Sequence, residues 1–127
     1  MQKVLILVFF STLIACTTQG KLEYITSNGE RKVGCETEYS GAPSIDKYAV
    51  EYVLSYCAKN AEKQGHQVID KHLLTLDLSI PKTPSGDSWS FEYATELHKL
   101  EHLTDKEYGY IIAFIDLSLN KSNNQLK

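Results

Sequence analysis

Apolar and polar positions alternate along this chain with periods that change several times, and each change marks an element. The first run, Val4 to Ile14, is apolar throughout apart from Ser11 and Thr12, and Thr17, Thr18, Gln19, Gly20 and Lys21 end it. Crossing about 30 Å of hydrocarbon takes roughly 20 apolar residues, so the run is too short to remain a membrane span. Leu22 to Ser27 and Glu30 to Cys35 then flank Asn28-Gly29, a pair suited to the positive φ angles of a type I′ hairpin turn. Folding about that turn sets Tyr24 opposite Val33 and Leu22 opposite Cys35, with all four on one face.

Glu36 to Pro43 reads as a connector, and Ser44 as a helix N-cap with Asp46 in the first turn. From Ile45 to Gln64, Ala49, Val50, Val53, Leu54, Cys57 and Ala61 recur at helical spacing. Lys47, Glu51, Ser55, Ala58 and Glu62 fall on the other side, and Gly65 supplies the stop. His66 to Ile80 predicts a long strand, because Val68, Leu74, Leu76, Leu78 and Ile80 share one parity while Thr75, Asp77 and Ser79 take the other. Residues 81–87 form a Pro/Gly loop. Trp89, Phe91 and Tyr93 alternate with Ser90 and Glu92 as in a half-buried strand, which either continues through Leu103 or turns into a short helix. Tyr108 to Leu117, apolar on both parities, predicts an interior strand covered on two sides. Asn120 to Lys127 is polar and expected to fray.

The resulting order, β-β-α-β-β-β, is an α+β domain with one long helix packed on an antiparallel sheet of four to five strands. In topology alone it resembles cystatin-like folds. The expected boundaries are a signal over residues 1–15, a modified cysteine and short tether over 16–21, the domain over 22–119 and a tail over 120–127.

Lys3 and the amine of Met1 put positive charge before the first apolar run, the form of an export signal. Its end, Leu13-Ile14-Ala15-Cys16, resembles the lipobox of bacterial lipoprotein precursors. The resemblance covers the export signal only and names no activity. It implies that Cys16 receives a diacylglycerol, that cleavage before it makes it the first residue, and that palmitate or a similar acyl chain joins the new amine. Each buried CH2 contributes about 0.8 kcal/mol, so several chains hold such a protein to the bilayer durably. Thr17, where inner-membrane lipoproteins typically carry Asp, points to the periplasmic face of the outer membrane in a Gram-negative cell. Residues 17–21 reach roughly 17 Å when extended, which keeps the domain close to that surface.

Removing residues 1–15 leaves 112 residues and takes away Lys3 but no acid, so the formal charge moves from −3 to −4. A mildly acidic chain without a Lys/Arg cluster has no electrostatic footprint for nucleic acid, and none for anionic lipid headgroups. With Cys16 assigned to lipid, Cys35 and Cys57 form an even pair in an oxidising compartment, and a disulfide is expected. Closing a loop of about 22 residues contributes roughly 3 kcal/mol in the chain-entropy view.

The histidines fall into the pairs His66/His72 and His98/His102. Four residues apart, His98 and His102 have a spacing found in metal sites, and Glu101 or Asp70 offers a carboxylate, but the Glu of H-E-x-x-H is missing. Exposed polar positions are the plainer reading, and no cofactor is expected. G-x-S-x-G, phosphate-loop, dinucleotide and EF-hand patterns are absent, so the sequence does not read as an enzyme. Tyr39, Tyr48, Tyr52 and Tyr56 gather near the start of the helix, with Tyr48 and Tyr52 the candidates for partner binding; sealing the core is their alternative role. Trp89 is expected in the core. The expected function is that of a membrane-anchored envelope lipoprotein, a binding, assembly or sensor component that contacts another envelope protein. A periplasmic enzyme inhibitor or immunity protein and a metal-binding protein using His98/His102 are the alternatives.

Overall fold

The computed structural model describes residues 16–125. The expected signal segment lies outside them. Strands β1 (Thr18–Ile25) and β2 (Arg31–Tyr39) form the expected hairpin, and helix α1 (Pro43–Lys63) follows. The hairpin turn is not type I′ about Asn28-Gly29: the Gly29 amide donates to the Thr26 carbonyl, Ser27-Asn28 sit at the centre, and of the turn residues only Gly29 has a positive φ. Next come a short strand β3 (Gln67–Val68), a 3-10 turn (Lys71–Leu74), helix α2 (Phe91–Lys99) and helix α3 (Asp105–Gln125). The fold is α+β, with a three-stranded antiparallel sheet in the order β2-β1-β3 and three helices, rather than four or five strands on one long helix. Among the described residues no helix is long and apolar enough to cross a membrane.

Leu22 faces Cys35 as the pattern predicts, but a bulge after Leu22 sets Val33 opposite Glu23 and Lys32 opposite Tyr24. Gly34 is the extra residue, and a Cβ there would lie 2.3 Å from the Tyr24 ring. The ring takes the place of a side chain, and Val33 is turned out to 47% exposure. β1 also starts earlier than expected. Residues 18–21, read as tether, pair with residues 36–39 of β2.

Pro43 opens α1, and Ser44 is inside the helix rather than its cap. Asp46 instead accepts the Gly41 amide at 2.6 Å and so ties down the turn before the helix. Gly65, at φ 84, closes the other end: its amide and that of His66 reach the Glu62 and Ala61 carbonyls. Ser55 and Ala58, assigned by spacing to the polar side, are fully buried. The reason is that α1 is covered twice. On one side, Ala58 and Ala61 pack with Leu22, Val68 and Leu73; on another, Ala49, Tyr52 and Val53 pack with Tyr110 and Ala113 of α3. A third cluster, Ala94, Leu97, Leu103, Ile111 and Ile115, joins α3 to α2. The Cys35–Cys57 disulfide, with Cα atoms 6.3 Å apart, links β2 to α1.

Three expected strands come out differently. Over Leu74 to Ile80 the alternation of burial holds, with Leu74, Leu76, Leu78 and Ile80 half-buried and Thr75, Asp77 and Ser79 exposed; before it the parity breaks, since Leu73 is buried while Asp70 and His72 are exposed. Only Gln67 and Val68 pair with a strand, because the rest leaves the sheet and lies against the helical clusters. Side chains meet its backbone instead: Ser55 donates to the Leu73 carbonyl at 2.6 Å and the Lys59 ammonium to that of Leu76. The expected strand at Trp89 to Tyr93 is a cap and a helix, with the Ser90 hydroxyl accepting the Tyr93 amide. The expected interior strand, Tyr108 to Leu117, belongs to α3. A run apolar on both parities suits a buried helix as well as a buried strand, and what separates them here is a capping box. Thr104 and Glu107 exchange side-chain-to-backbone hydrogen bonds at 2.8 and 3.1 Å. α3 then continues to Gln125, through most of the segment expected to fray.

Two phenols fasten α3. Tyr39 donates to Asp116 at 2.9 Å and Tyr110 to Glu51 at 2.6 Å. Burial first, and then the adjacent carboxylate, push both hydroxyls well above the ordinary tyrosine range. The folded chain thus keeps protons that the unfolded chain releases near pH 10, so their contribution is complete below that pH and falls as pH rises. Stability measured by urea titration is expected to decline from about pH 10 upward; Tyr39→Phe should lower it by about 1–2 kcal/mol at neutral pH and flatten the alkaline slope. An alkaline limb unchanged by that substitution would contradict this account.

Gly109 sets the spacing between α3 and α1. A Cβ on it would lie 2.8 Å from the Ile45 carbonyl oxygen and 2.9 Å from the Tyr48 Cβ. Alanine is favoured over glycine inside a helix by about 1 kcal/mol, yet here the clash dominates. Gly109→Ala is expected to destabilise the protein by about 1–3 kcal/mol in the same titration, the opposite sign to helix propensity.

Candidate functional site

Cys16 is exposed with a free thiol, and Thr17 alone separates it from β1. Thr18, the first residue of that strand, pairs with Tyr39, the last of β2, so the cysteine sits beside the turn that leads into α1. In this turn and the start of α1, Ser40, Gly41, Ala42, Pro43 and Ser44 are all exposed and carry no charge. Of the two acids that flank the turn, Asp46 is 6% exposed and turned inward onto the Gly41 amide, while Glu38 is exposed on β2 and accepts from Gln19. One residue on, Lys47 is exposed, with its ammonium 4.8 Å from the centre of the Tyr48 ring. The pole of the domain next to Cys16 is therefore small-residued, uncharged at its tip and bordered by a lysine–tyrosine pair.

The tyrosines divide between surface and core. Tyr48 is half-buried and keeps an accessible edge. Tyr52 is buried at 6% exposure, edge-on to Tyr110 with ring centres 5.1 Å apart, which places it in the α1–α3 core and away from any partner. Tyr56 carries the Lys121 ammonium 4.8 Å above its ring; hydrogen bonds from Lys121 and Asn60 lower its hydroxyl below the usual range. Trp89 is half-buried, donates to the Pro81 carbonyl at 2.8 Å and packs on the α2–α3 cluster, so it anchors the loop before α2.

The histidines are engaged one by one. His98 lies 2.8 Å from an Asp105 carboxylate oxygen and stacks on Tyr108 at 4.4 Å, a contact that clamps α2 to α3. His102 does not share its face, because α2 ends at Lys99 and the chain turns through Glu101 at φ 58. The Glu101 and His102 amides close this end onto the His98 and Leu97 carbonyls. His66 stacks on Tyr24 at 4.5 Å, and its Nδ1 is buried without a hydrogen-bond partner. That ring borders a hollow of ≈ 160 Å³ with Cys57, Asn60 and Gln64. Asp70 accepts the His72 amide and caps the 3-10 turn. Among the described residues, no three His, Cys, Asp or Glu side chains converge to hold a metal ion. His98 and His102 with Glu101 or Asp70 thus do not form one donor set.

Comparison with protein-family models, with curated proteins and with solved structures gives no match to this chain.

The residues that hold these features in place were partly legible in sequence. Thr104-x-x-Glu107 has the form of a capping box, and Ser90 precedes Phe91 as a cap should. Tyr39 with Asp116 and Tyr110 with Glu51 had no local signal, since 77 and 59 positions separate the partners. The left-handed backbone at Glu101 costs a non-glycine residue roughly 1–2 kcal/mol, partly offset by the freedom glycine has when unfolded. Glu101→Gly is expected to raise stability by up to about 1 kcal/mol in chemical denaturation, with the His98 contact to Asp105 retained.

Proposed function

We propose that this protein is a lipid-anchored component of the bacterial cell envelope that works by binding another envelope protein. The single observation that carries the reading is the division of the three cysteines. Cys35 and Cys57 are joined, as suits an exported chain, while Cys16 is exposed, free and set directly before the first strand at the end of a lipobox-like sequence. Outer-membrane placement, facing the periplasm, follows from Thr17 by the same resemblance. Binding is the preferred reading because the sequence carries none of the catalytic patterns sought, and His98 and Tyr39 are held in contacts within the fold. Inhibition of a periplasmic enzyme is one form such binding takes; capture of a single hydrolase from solubilised envelopes, with loss of its activity, would identify it.

The test uses the full chain expressed in a Gram-negative host. Labelled palmitate is expected to enter the protein, and the membrane fraction to retain it after a high-salt wash. Cys16→Ala should abolish the label and, with a conventional cleavable secretory signal in place of residues 1–15, the membrane retention as well, leaving the Cys35–Cys57 domain folded and soluble. Retention of membrane attachment by that variant would remove the proposal.

A further inference from the structure

Resting on the lipid-anchor reading, we infer that the domain stands on its Ser40–Ser44 turn, with Lys47 and Tyr48 seated among phospholipid headgroups. The partner of this surface is the bilayer itself. The argument starts from length. Two residue steps separate Cys16 from Thr18, a reach of about 7 Å, and paired strands lie about 5 Å apart. Tyr39, opposite Thr18, is therefore within roughly 12 Å of the acylated residue, and the turn follows directly. The hairpin tip at Asn28 lies the length of β1 away, about 25 Å.

Such a short link permits two postures, upright on the turn or flat on the outer face of the hairpin. Surface chemistry separates them. The outer face carries Glu23, Glu36 and Glu38 with Lys21 and Arg31, and Glu23 is already held ionised by Arg31 at 2.7 Å. Laying it on anionic headgroups would set carboxylates against phosphates. The turn itself offers no exposed charge; of the two acids that flank it, Asp46 faces inward, and Glu38 belongs to the outer face of the hairpin, where Gln19 donates to it at 3.2 Å. Lys47 above the Tyr48 ring then presents a cation to the phosphates and an aromatic body to the layer below, the arrangement by which amphipathic side chains seat at an interface.

The experiment uses the lipidated full-length protein in vesicles of phosphatidylethanolamine and phosphatidylglycerol that contain a headgroup-spin-labelled lipid. Ala42→Trp and Asn28→Trp place an indole at either pole, and the quenching of each is corrected for that of Trp89 in the unsubstituted protein. The Ala42→Trp indole is expected to be quenched severalfold more than the Asn28→Trp indole. Equal quenching, the reverse order, or no quenching at either pole while the protein floats with the vesicles would overturn the posture and leave the anchor standing. If the purified protein shows no acyl mass and does not float, the anchor reading fails and this inference falls with it. Intact Cys35–Cys57 linkage by thiol assay checks folding, and Ser44→Trp replaces Ala42→Trp if that variant does not fold.

Discussion

The burial of α1 on two sides is the constraint on which the rest of this structure depends. From Tyr48 to Ala61 none of its residues is fully exposed, an unusual state for a helix in a small domain. A helix so covered needs neighbours that come close, and the sequence meets this with small residues on both partners. Gly20 of β1 leaves room for Val50 and Leu54, while Gly109 of α3 lies against the Ile45 carbonyl. Ala49, Ala58 and Ala61 bring the α1 backbone near each layer. Lost side-chain area is made good by length, since α1 and α3 are 21 residues each.

This arrangement explains why the chain after β3 is extended yet not a strand. It must pass from the sheet side of α1 to the far side of α3 before α2 begins. On the way it buries Leu74, Leu76, Leu78 and Ile80 against helices that offer no backbone edge for pairing. Side chains substitute for a neighbouring strand: Ser55 and Lys59 from α1 reach its carbonyls, and Trp89 reaches that of Pro81. Hydrogen-bond demand is thus met without a ladder.

The same economy bears on function. Of the polar groups singled out in the sequence, His98 is taken up by Asp105 and Tyr39 by Asp116, while His66 stacks on Tyr24 with its Nδ1 unpartnered. What remains available is surface, and the part of it with a defined position is the pole beside Cys16. A first strand that starts two residues after the proposed anchor leaves the domain two postures, upright or flat, so the proposed anchor would restrict orientation as well as location.

Sequence by itself determined the features that depend on near neighbours. Asn28-Gly29 fixed the place of the hairpin turn though not its type, Gly65 the end of α1, the period of apolar residues α1 itself, and the parity of residues 74–80 their inward and outward directions. Leu22 faces Cys35 as the pattern predicts, but only because the bulge at Gly34 offsets the one-residue slip of register at the turn. Tertiary structure alone decided what a buried run becomes. Tyr108 to Leu117 is apolar on both parities and satisfies the core as helix or strand; the choice lay in the space beside α1, which Gly109 fits, and in the Thr104–Glu107 cap. Burial of Ser55 and Ala58 was equally invisible, because it depends on the chain after α1 turning back so that Val68 and Leu73 lie over the helix, and periodicity reports only how many faces are apolar, not how many are covered.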